Sequence, residues 1–159
     1  MVLSEFVIHS LSVASGELAI TPIPGRTRHY YSDWKSMDEW RTTLDISMTS
    51  QAELDRKGAG SLGTDLANAG IGWLHCPVTD FGVPEGLDWP LVRDRALCVL
   101  AGKGRVLVHC YGGCGRSGMI CLRLMIAAGE VPDAALARLR AVRPCAVETD
   151  AQMLWARQG

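Results

Sequence analysis

The amino-acid sequence predicts an α/β fold, with a central, mostly parallel sheet flanked by helices. Short apolar runs bounded by Gly and Pro alternate with longer segments of helical periodicity, which is typical of chains that build such a sheet. The 159 residues are 48% hydrophobic and 21% charged, in the range of globular domains large enough to bury a core. Because no repeat, low-complexity run or linker interrupts the pattern, we expect residues 1–159 to form one domain.

The first half of the chain contains three predicted strands and three predicted helices. Ser32 or Asp33 is expected to begin the first helix, and Thr49 or Ser50 to cap the second. Gly70 is expected to end the third helix, as Gly commonly does. The predicted elements are edge strands at Phe6–Ile8 and Glu17–Ile20, a helix at Ser32–Arg41, a strand at Thr43–Met48, and helices at Gln51–Arg56 and Ser61–Ala69.

The second half of the chain contains the strand that organises the predicted sheet. A Val-Leu-Val run in the middle of Arg105–His109 indicates a buried central strand. This strand runs directly into Cys110 and a glycine-rich loop, after which a helix begins near Arg116. The other predicted elements are a strand at Ile71–Cys76 and helices at Leu91–Leu100, Asp133–Val142 and Asp150–Arg157.

The net charge removes nucleic acid and acidic membranes as default partners, although it does not exclude a local basic patch. The formal net charge is −1, so no excess of positive charge draws the chain to nucleic acid or to an acidic membrane. Residues Met1–Ile8 lack the basic leader of a signal peptide. The apolar run Met119–Ala128 is interrupted by Arg123 and is too short to span a bilayer. We therefore expect a cytoplasmic monomer.

The chain contains six cysteines. No two of them have Cys-x-x-Cys spacing, so a zinc site is not expected. No other pattern in the sequence indicates a metal or a cofactor, and we expect neither. Most of the cysteines lie in apolar segments without a secretion signal, and we expect four of the six to be reduced.

The segment His109–Gly118 carries the chemistry. It follows a buried strand and opens a helix, which is where an open α/β sheet binds ligands. Three glycines in four positions allow successive N–H groups to surround an anion, next to the positive end of the following helix. The expected phosphate-binding residues are Tyr111, Gly112, Gly113, Cys114, Gly115 and Arg116.

Two side chains of this segment are expected to act on the phosphate: Cys110 as the nucleophile and Arg116 as the cation that binds its oxygens. The helix terminus and a nearby guanidinium stabilise the thiolate of Cys110. Arg116 offers a planar fork that matches two phosphate oxygens, and Ser117 can hydrogen-bond the sulfur. His-Cys, five residues and then Arg-Ser resembles the signature of the protein tyrosine phosphatase superfamily, which implies a cysteine-phosphatase fold and a cysteinyl-phosphate intermediate.

The resemblance also implies a general acid on a mobile loop about thirty residues before the cysteine. Asp80 occupies that position, directly after a predicted strand and Pro77. Asp88 and Asp94 are alternatives, although both look like parts of the next helix or its cap. Asp80 would protonate the leaving group and later activate water.

Three further residues, His109, Ser117 and Gln152, are expected to support the reaction. His109 is expected to orient the loop by hydrogen bonding rather than to carry a proton. In the family, the hydroxyl that corresponds to Ser117 helps the sulfur to leave. Gln152 has two interpretations: it orients water, as in related phosphatases, or it forms a Thr-x-x-Gln capping box with Thr149.

A second cysteine is a candidate redox partner of Cys110. Oxidised Cys110 can in principle be captured by a neighbouring thiol. Cys114 and Cys76 are the two candidates.

The length of the chain favours the compact dual-specificity group. Within that group, the loop Cys-Tyr-Gly-Gly-x-Gly-Arg-Ser and the Pro24–Gly25 turn resemble those of cyclin-dependent-kinase-associated phosphatases. Because the variable loop residues include no Lys or Arg, highly charged substrates are disfavoured, and a phosphorylated protein is the expected substrate. The alternatives are an inactive phosphoprotein-binding module, a phosphatase of non-protein phosphoesters, and an arsenate reductase or sulfurtransferase; the last two are disfavoured because Cys110 follows Asp80.

Overall fold

The computed structural model describes residues 6–159. The segment Met1–Ile8, which we do not expect to be a signal peptide, therefore lies largely outside the described residues. The strands are β1 His9–Val13, β2 Gly16–Thr21, β3 Leu44–Ser47, β4 Gly72–His75 and β5 Arg105–His109. The helices are α1 Tyr30–Glu39, α2 Gln51–Arg56, α3 Leu62–Asn68, α4 Trp89–Ala101, α5 Gly115–Ala127, α6 Pro132–Val142 and α7 Asp150–Ala156.

The strands form one sheet in the order β1-β2-β5-β3-β4. β1 and β2 pair antiparallel as a hairpin, and the other three pairings are parallel. β5 lies at the centre, where Val106, Leu107 and Val108 are fully buried, as expected of a strand covered on both faces. The predicted fold class is therefore confirmed.

Successive residues of β5 pack on opposite faces of the sheet, and each face has its own apolar layer. Val106 and Val108 pack with apolar residues of α4, α5, α6 and α7. Leu107 packs with residues of α1, α2 and α3. The end of β5 that carries His109 therefore meets helices from both layers.

Three details of the first half differ from the prediction. Phe6–Ile8 is not a strand, and the edge strand begins at His9. β2 is an interior strand because β5 pairs with its second edge. α1 begins after His29 without a side-chain cap, and Asp33 instead accepts a hydrogen bond from the Gly25 amide at 2.7 Å. That buried bond holds the turn before α1 and removes Asp33 from capping.

The other predicted boundaries agree with the structure to within two residues. α2 begins after Ser50, whose hydroxyl accepts from the Glu53 amide while the Glu53 carboxylate accepts from the Ser50 amide. Gly70, with φ of +74°, follows the end of α3. Across residues 6–159, none of the helices has the length and apolar character needed to cross a membrane.

Candidate active site

The loop between β5 and α5 surrounds Cys110, which is 3% exposed. Gly113 has φ of +70°, and a Cβ at this position would lie 2.6 Å from the backbone nitrogen of Pro22. Only glycine fits here, because both the backbone conformation and the close approach exclude a side chain. The loop is thereby packed against the end of β2.

The backbone amides of this loop are unpaired. Within the described part of the chain, none of the N–H groups of residues 111–117 donates a hydrogen bond; the first amide of the segment that does is that of Gly118, to the Cys114 carbonyl. These amides belong to the segment that leads from Cys110 into the N-terminus of α5, a helix of 13 residues. Consecutive free amides at a helix N-terminus form an anion-binding site.

Ser117 lies beside the nucleophile. Its Oγ is 3.1 Å from Cys110 Sγ, and its side chain is fully buried. The hydroxyl is therefore placed to donate a hydrogen bond to the sulfur. The structure brings these two predicted residues together.

Arg116 is 1% exposed. It is held by the carboxylate of Glu53, a residue that was not predicted from the sequence to belong to the site. Its Nη2 and Nη1 donate to Glu53 Oε1 and Oε2 at 3.0 and 3.2 Å, and Nη1 also donates to the Val78 carbonyl at 2.9 Å. Burial alone would raise the pKa of Glu53, but the hydrogen bonds from Arg116 and the Ser50 amide outweigh it and lower the pKa. The Nε of Arg116 is buried without an acceptor in residues 6–159.

Asp80 approaches the same guanidinium. Its Oδ1 lies 3.6 Å from Arg116 Nη2, its side chain is 56% exposed, and it lines the cleft together with residues of the loop. The alternatives are engaged elsewhere: Asp88 caps α4 through the Leu91 amide, and Asp94 pairs with Arg93. Of the three predicted candidates, the structure brings Asp80 to Arg116.

His109 is fully buried beneath the loop. Its Nε2 lies 2.5 Å from Ser47 Oγ, and that hydroxyl also donates to Asp45 Oδ1 at 2.6 Å and accepts from Trp73 Nε1 at 2.8 Å. Burial lowers the pKa of His109 to about 3 and raises that of Asp45 to about 7. His109 is thus a neutral, hydrogen-bonded residue, and its partners Asp45, Ser47 and Trp73 were not predicted from the sequence.

Gln152 forms the capping box with Thr149 that was one of its two interpretations. Its Oε1 accepts from the amides of Glu148 and Thr149. Its Nε2 donates to the Gly82 carbonyl at 3.2 Å, in the loop that carries Asp80. The side chain therefore joins the start of α7 to that loop.

Cys114 is not free to react with Cys110, contrary to one expectation. It forms a disulfide with Cys145, 31 residues along the chain. Cys76, Cys98, Cys110 and Cys121 are free. The pairing was missed because the two partners come together only when the segment before α7 folds against the loop. Burial, followed by the charge of Asp45, raises the pKa of Cys76 to about 11.

Three basic side chains from elsewhere in the chain lie near the loop, which itself contributes only Arg116, although Asp80 and Glu148 also line the cleft. Arg26 and Lys57 flank the ring of Tyr111, at 5.3 and 5.2 Å from its centroid. Arg143 donates to the carbonyls of Gly113 and Gly112, both at 2.9 Å. The expectation that highly charged substrates are disfavoured rested on the loop residues alone, and the fold brings three cations to the rim from elsewhere in the chain.

Comparison with known proteins identifies the family. The sequence model of the family Cyclin-dependent kinase inhibitor 3 (CDKN3) matches residues 45–136. Cyclin-dependent kinase inhibitor 3 of Rattus norvegicus is 39% identical over 77 residues, 46% of this chain and 36% of that protein. Protein tyrosine phosphatase domain-containing protein 1 of Mus musculus is 33% identical over 91 residues, 57% of this chain and 12% of that protein. The chain thus spans about a third or less of these curated relatives.

Solved structures match over nearly the whole chain. A kinase-associated phosphatase with serine in place of its catalytic cysteine superposes with a TM-score of 0.86 at 22% identity, covering 99% of this chain and 95% of that one. Tk-PTP in its active form superposes with a TM-score of 0.70 at 25% identity, covering 89% of each chain. The fold is therefore that of the cysteine phosphatases. Since the family model matches more than half of its residues, the chain belongs to the CDKN3 family of protein tyrosine and dual-specificity phosphatases.

Proposed function

We propose that this chain is a cysteine-dependent phosphatase of phosphorylated proteins, acting on phosphotyrosine, with phosphoserine and phosphothreonine as further candidate substrates. One observation carries the proposal: in the loop that follows Cys110, the amides of residues 111–117 and the buried Nε of Arg116 have no acceptor within residues 6–159. A bound phosphate would supply acceptors to all of these donors. Buried donors without partners are costly unless a ligand satisfies them.

In the first step, Cys110 Sγ attacks phosphorus and the bond from phosphorus to the leaving oxygen breaks. The loop amides and Arg116 stabilise the charge on the phosphoryl oxygens. Asp80, in its protonated form, donates its proton to the leaving oxygen. The products of this step are the dephosphorylated hydroxyl and a phosphoryl group on the sulfur.

In the second step, a water molecule attacks the phosphorylated cysteine. Asp80, now a carboxylate, takes the proton of that water, so the acid of the first step is restored. The phosphorus–sulfur bond breaks and the Ser117 hydroxyl, 3.1 Å from Sγ, stabilises the departing thiolate. Inorganic phosphate leaves and the free enzyme is regenerated.

The position of Arg116 depends on Glu53, which uses both oxygens to hold the two terminal nitrogens. The guanidinium of Arg116 is therefore held in place before substrate binds, and its Nε remains available to donate a hydrogen bond to the phosphate. Preorganisation of this kind lowers the barrier because the charges need not reorganise during the reaction.

Hydrolysis of aryl phosphates with leaving groups of graded pKa tests the mechanism. We expect Cys110→Ser to reduce kcat below detection. We expect Asp80→Asn to lower kcat by about 100-fold for poor leaving groups and by much less for p-nitrophenyl phosphate, whose phenolate needs little protonation. Full activity in Cys110→Ser would contradict the mechanism, and an equal loss for all leaving groups would remove Asp80 as the acid.

The substrate class is tested with matched phosphotyrosine, phosphothreonine and phosphoserine peptides, a soluble phosphoinositide and a phosphorylated protein kinase. The kinase is included because the relatives are named for cyclin-dependent kinases. A higher kcat/KM for the phosphoinositide than for every peptide and protein would favour the non-protein alternative. Tight binding without turnover by the wild type would favour the binding module.

A further inference from the structure

A disulfide joins the phosphate-binding loop to the segment that precedes α7. Cys114, the residue directly before the first turn of α5, is bonded to Cys145. Cys114 also lines the proposed catalytic cleft, together with Asp80 and Tyr111. A covalent bond that can be broken and formed again without any other chemical change to the chain therefore lies at the site itself.

The segment before α7 also binds the loop through hydrogen bonds, and we call residues 143–147 of this segment the strap. Arg143 donates to the carbonyls of residues 112 and 113, both at 2.9 Å. The Val147 amide donates to the Cys114 carbonyl at 3.2 Å. The strap therefore holds the carbonyls of three successive loop residues.

These hydrogen bonds orient the loop amides. In a trans peptide the N–H points away from the carbonyl of the same peptide unit, and none of the described peptide bonds is cis. The strap holds the carbonyls of residues 112–114, so the N–H groups of residues 113–115 point to the opposite side, where they have no acceptor in residues 6–159. The disulfide fixes the strap to the loop at the same place. It therefore helps to orient the amides that would bind phosphate.

The two sulfurs of the disulfide have different surroundings. Cys145 is an exposed residue, whereas Cys114 is half-buried. Arg143 Nη2 lies 3.8 Å from Cys114 Sγ, and Cys114 also lies at the N-terminus of α5. A guanidinium and a helix N-terminus both stabilise a thiolate. Because exchange is fastest when the attacked sulfur is accessible and the departing thiolate is stabilised, the geometry favours attack on Cys145 and departure of Cys114.

We propose that this disulfide is a redox switch operated by a dithiol, and that its reduction weakens phosphate binding. A thiolate of the dithiol attacks Cys145 Sγ, the sulfur–sulfur bond breaks and Cys114 leaves as a thiolate. The second thiol of the dithiol then attacks the mixed disulfide and releases Cys145. The dithiol is oxidised to a disulfide, and two electrons pass to the cysteine pair, with a proton for each sulfur that does not remain a thiolate.

Reduction changes the phosphate-binding loop in two ways. Two sulfurs without a bond move apart, so the strap is no longer fixed to the loop and the amides lose part of their orientation. A thiolate on Cys114 also adds a negative charge to the lining of the cleft, where it repels phosphate. Both changes raise the Kd of phosphate and lower kcat/KM. This inference rests on the proposed function, of which it specifies the regulation.

The first test measures phosphate binding by Cys110→Ser, so the redox state of the nucleophile does not affect the result. Inorganic phosphate is titrated by calorimetry into the oxidised protein, into the protein reduced with dithiothreitol, and after reoxidation. Alkylation and peptide mapping report the state of Cys114 and Cys145. We expect reduction to raise the Kd by about tenfold and reoxidation to restore it. An unchanged Kd in protein with both cysteines alkylated would overturn the proposal, and so would a disulfide formed by any other pair.

Two variants in the same Cys110→Ser background separate this disulfide from the other cysteines. Cys145→Ser cannot form the pair, so its Kd should equal that of the reduced protein and should not respond to dithiothreitol. Cys98→Ser is the matched control, because it removes an exposed cysteine that belongs to no disulfide, and it should keep the full response. Loss of the response in Cys98→Ser would overturn the proposal, as would a response of the same size in Cys145→Ser.

The second test measures turnover by the wild type in buffers with graded ratios of reduced to oxidised dithiothreitol. The kcat/KM for a phosphotyrosine peptide is divided by the fraction of chains in which Cys110 is a free thiol. We expect it to fall by about tenfold, with the same midpoint as the reduction of the disulfide. A value that stays constant or rises as the disulfide is reduced would overturn the proposal. Absence of turnover in every buffer, with phosphate binding intact, would instead contradict the proposed function.

Discussion

Both terminal nitrogens of Arg116 are bound by the carboxylate of Glu53, at 3.0 and 3.2 Å. The two residues are 63 positions apart, one at the start of α5 and the other in the first turn of α2. The same carboxylate accepts from the Ser50 amide at 2.8 Å. Glu53 therefore joins the cap of one helix to the phosphate-binding arginine of another.

Replacement of Glu53 by Gln is expected to lower kcat/KM by about 10- to 100-fold, because a charge-assisted pair of hydrogen bonds to a buried guanidinium is worth about 1.5–3 kcal/mol. Steady-state kinetics with a phosphotyrosine peptide measure the effect. Ser50→Ala is the matched control, since it removes the hydroxyl of the same capping box and leaves the carboxylate in place. An equal loss of kcat/KM in Ser50→Ala would assign the effect to the helix cap instead of to Arg116.

The buried His109 makes the fold sensitive to acid. Its pKa is about 3 in the folded chain, against about 6.5 when unfolded. The unfolded state therefore binds the proton first, and the contribution of His109 to stability, complete above pH 6.5, is lost as the pH falls from 6.5 towards 3. Relative to the wild type, His109→Asn should gain about 2 kcal/mol between pH 7 and pH 5. Urea unfolding at the two pH values measures this difference, and no pH dependence would contradict it.

Asp45 should have the opposite pH dependence. Burial raises its pKa to about 7, so the folded state holds a proton that the unfolded state has released. The contribution of Asp45 to stability is complete below about pH 4 and is lost as the pH rises to 7. Relative to the wild type, Asp45→Asn should therefore lose stability between pH 7 and pH 5, in the same urea experiment. A change of the same sign as that of His109→Asn would refute the assignment.

The disulfide between Cys114 and Cys145 should lower the number of reactive thiols in the unfolded, unreduced chain from six to four. The unfolded, unreduced chain should expose the four thiols of the free cysteines, and reduction should release the pair. Closure of a loop of this length stabilises a fold by about 3 to 4 kcal/mol, so the reduced protein should unfold at lower urea concentration.

Two variants control the thiol count. Cys98→Ser removes a free, exposed cysteine and should lower the count of reactive thiols by one. Cys145→Ser removes one partner of the disulfide, frees Cys114 and should raise the count by one. A count that falls in both variants would show that the two cysteines are not paired.

The sequence was sufficient where the chemistry is local. Cys110, Arg116 and Ser117 lie on one loop and one helix turn, so their spacing alone brings them together. The prediction of Asp80 depended on the family resemblance, which implies a general acid about thirty residues before the cysteine. The Val-Leu-Val run of β5 likewise predicted a buried, central strand.

Contacts between distant segments could not be read in this way. Thr49 or Ser50 was predicted to cap α2, but the sequence did not reveal that the Glu53 side chain in the first turn of that helix reaches Arg116. Likewise Arg26 and Arg143 are distant in the sequence. Only the packing of β2 and of the segment before α7 against the loop brings both residues to the same cleft. These contacts depend on tertiary packing, which has no local sequence signal.

Detection of the covalent intermediate tests the central claim most directly. Ser117→Ala should slow the release of the sulfur more than the attack, so a phosphoryl group should accumulate on the enzyme. Rapid quenching in acid during turnover of a phosphotyrosine peptide, followed by mass spectrometry of the digested chain, locates the group. We predict a phosphoryl adduct on Cys110, more abundant in Ser117→Ala than in the wild type and absent from Cys110→Ser. Continued turnover with no adduct, or an adduct on any other residue, would contradict the account.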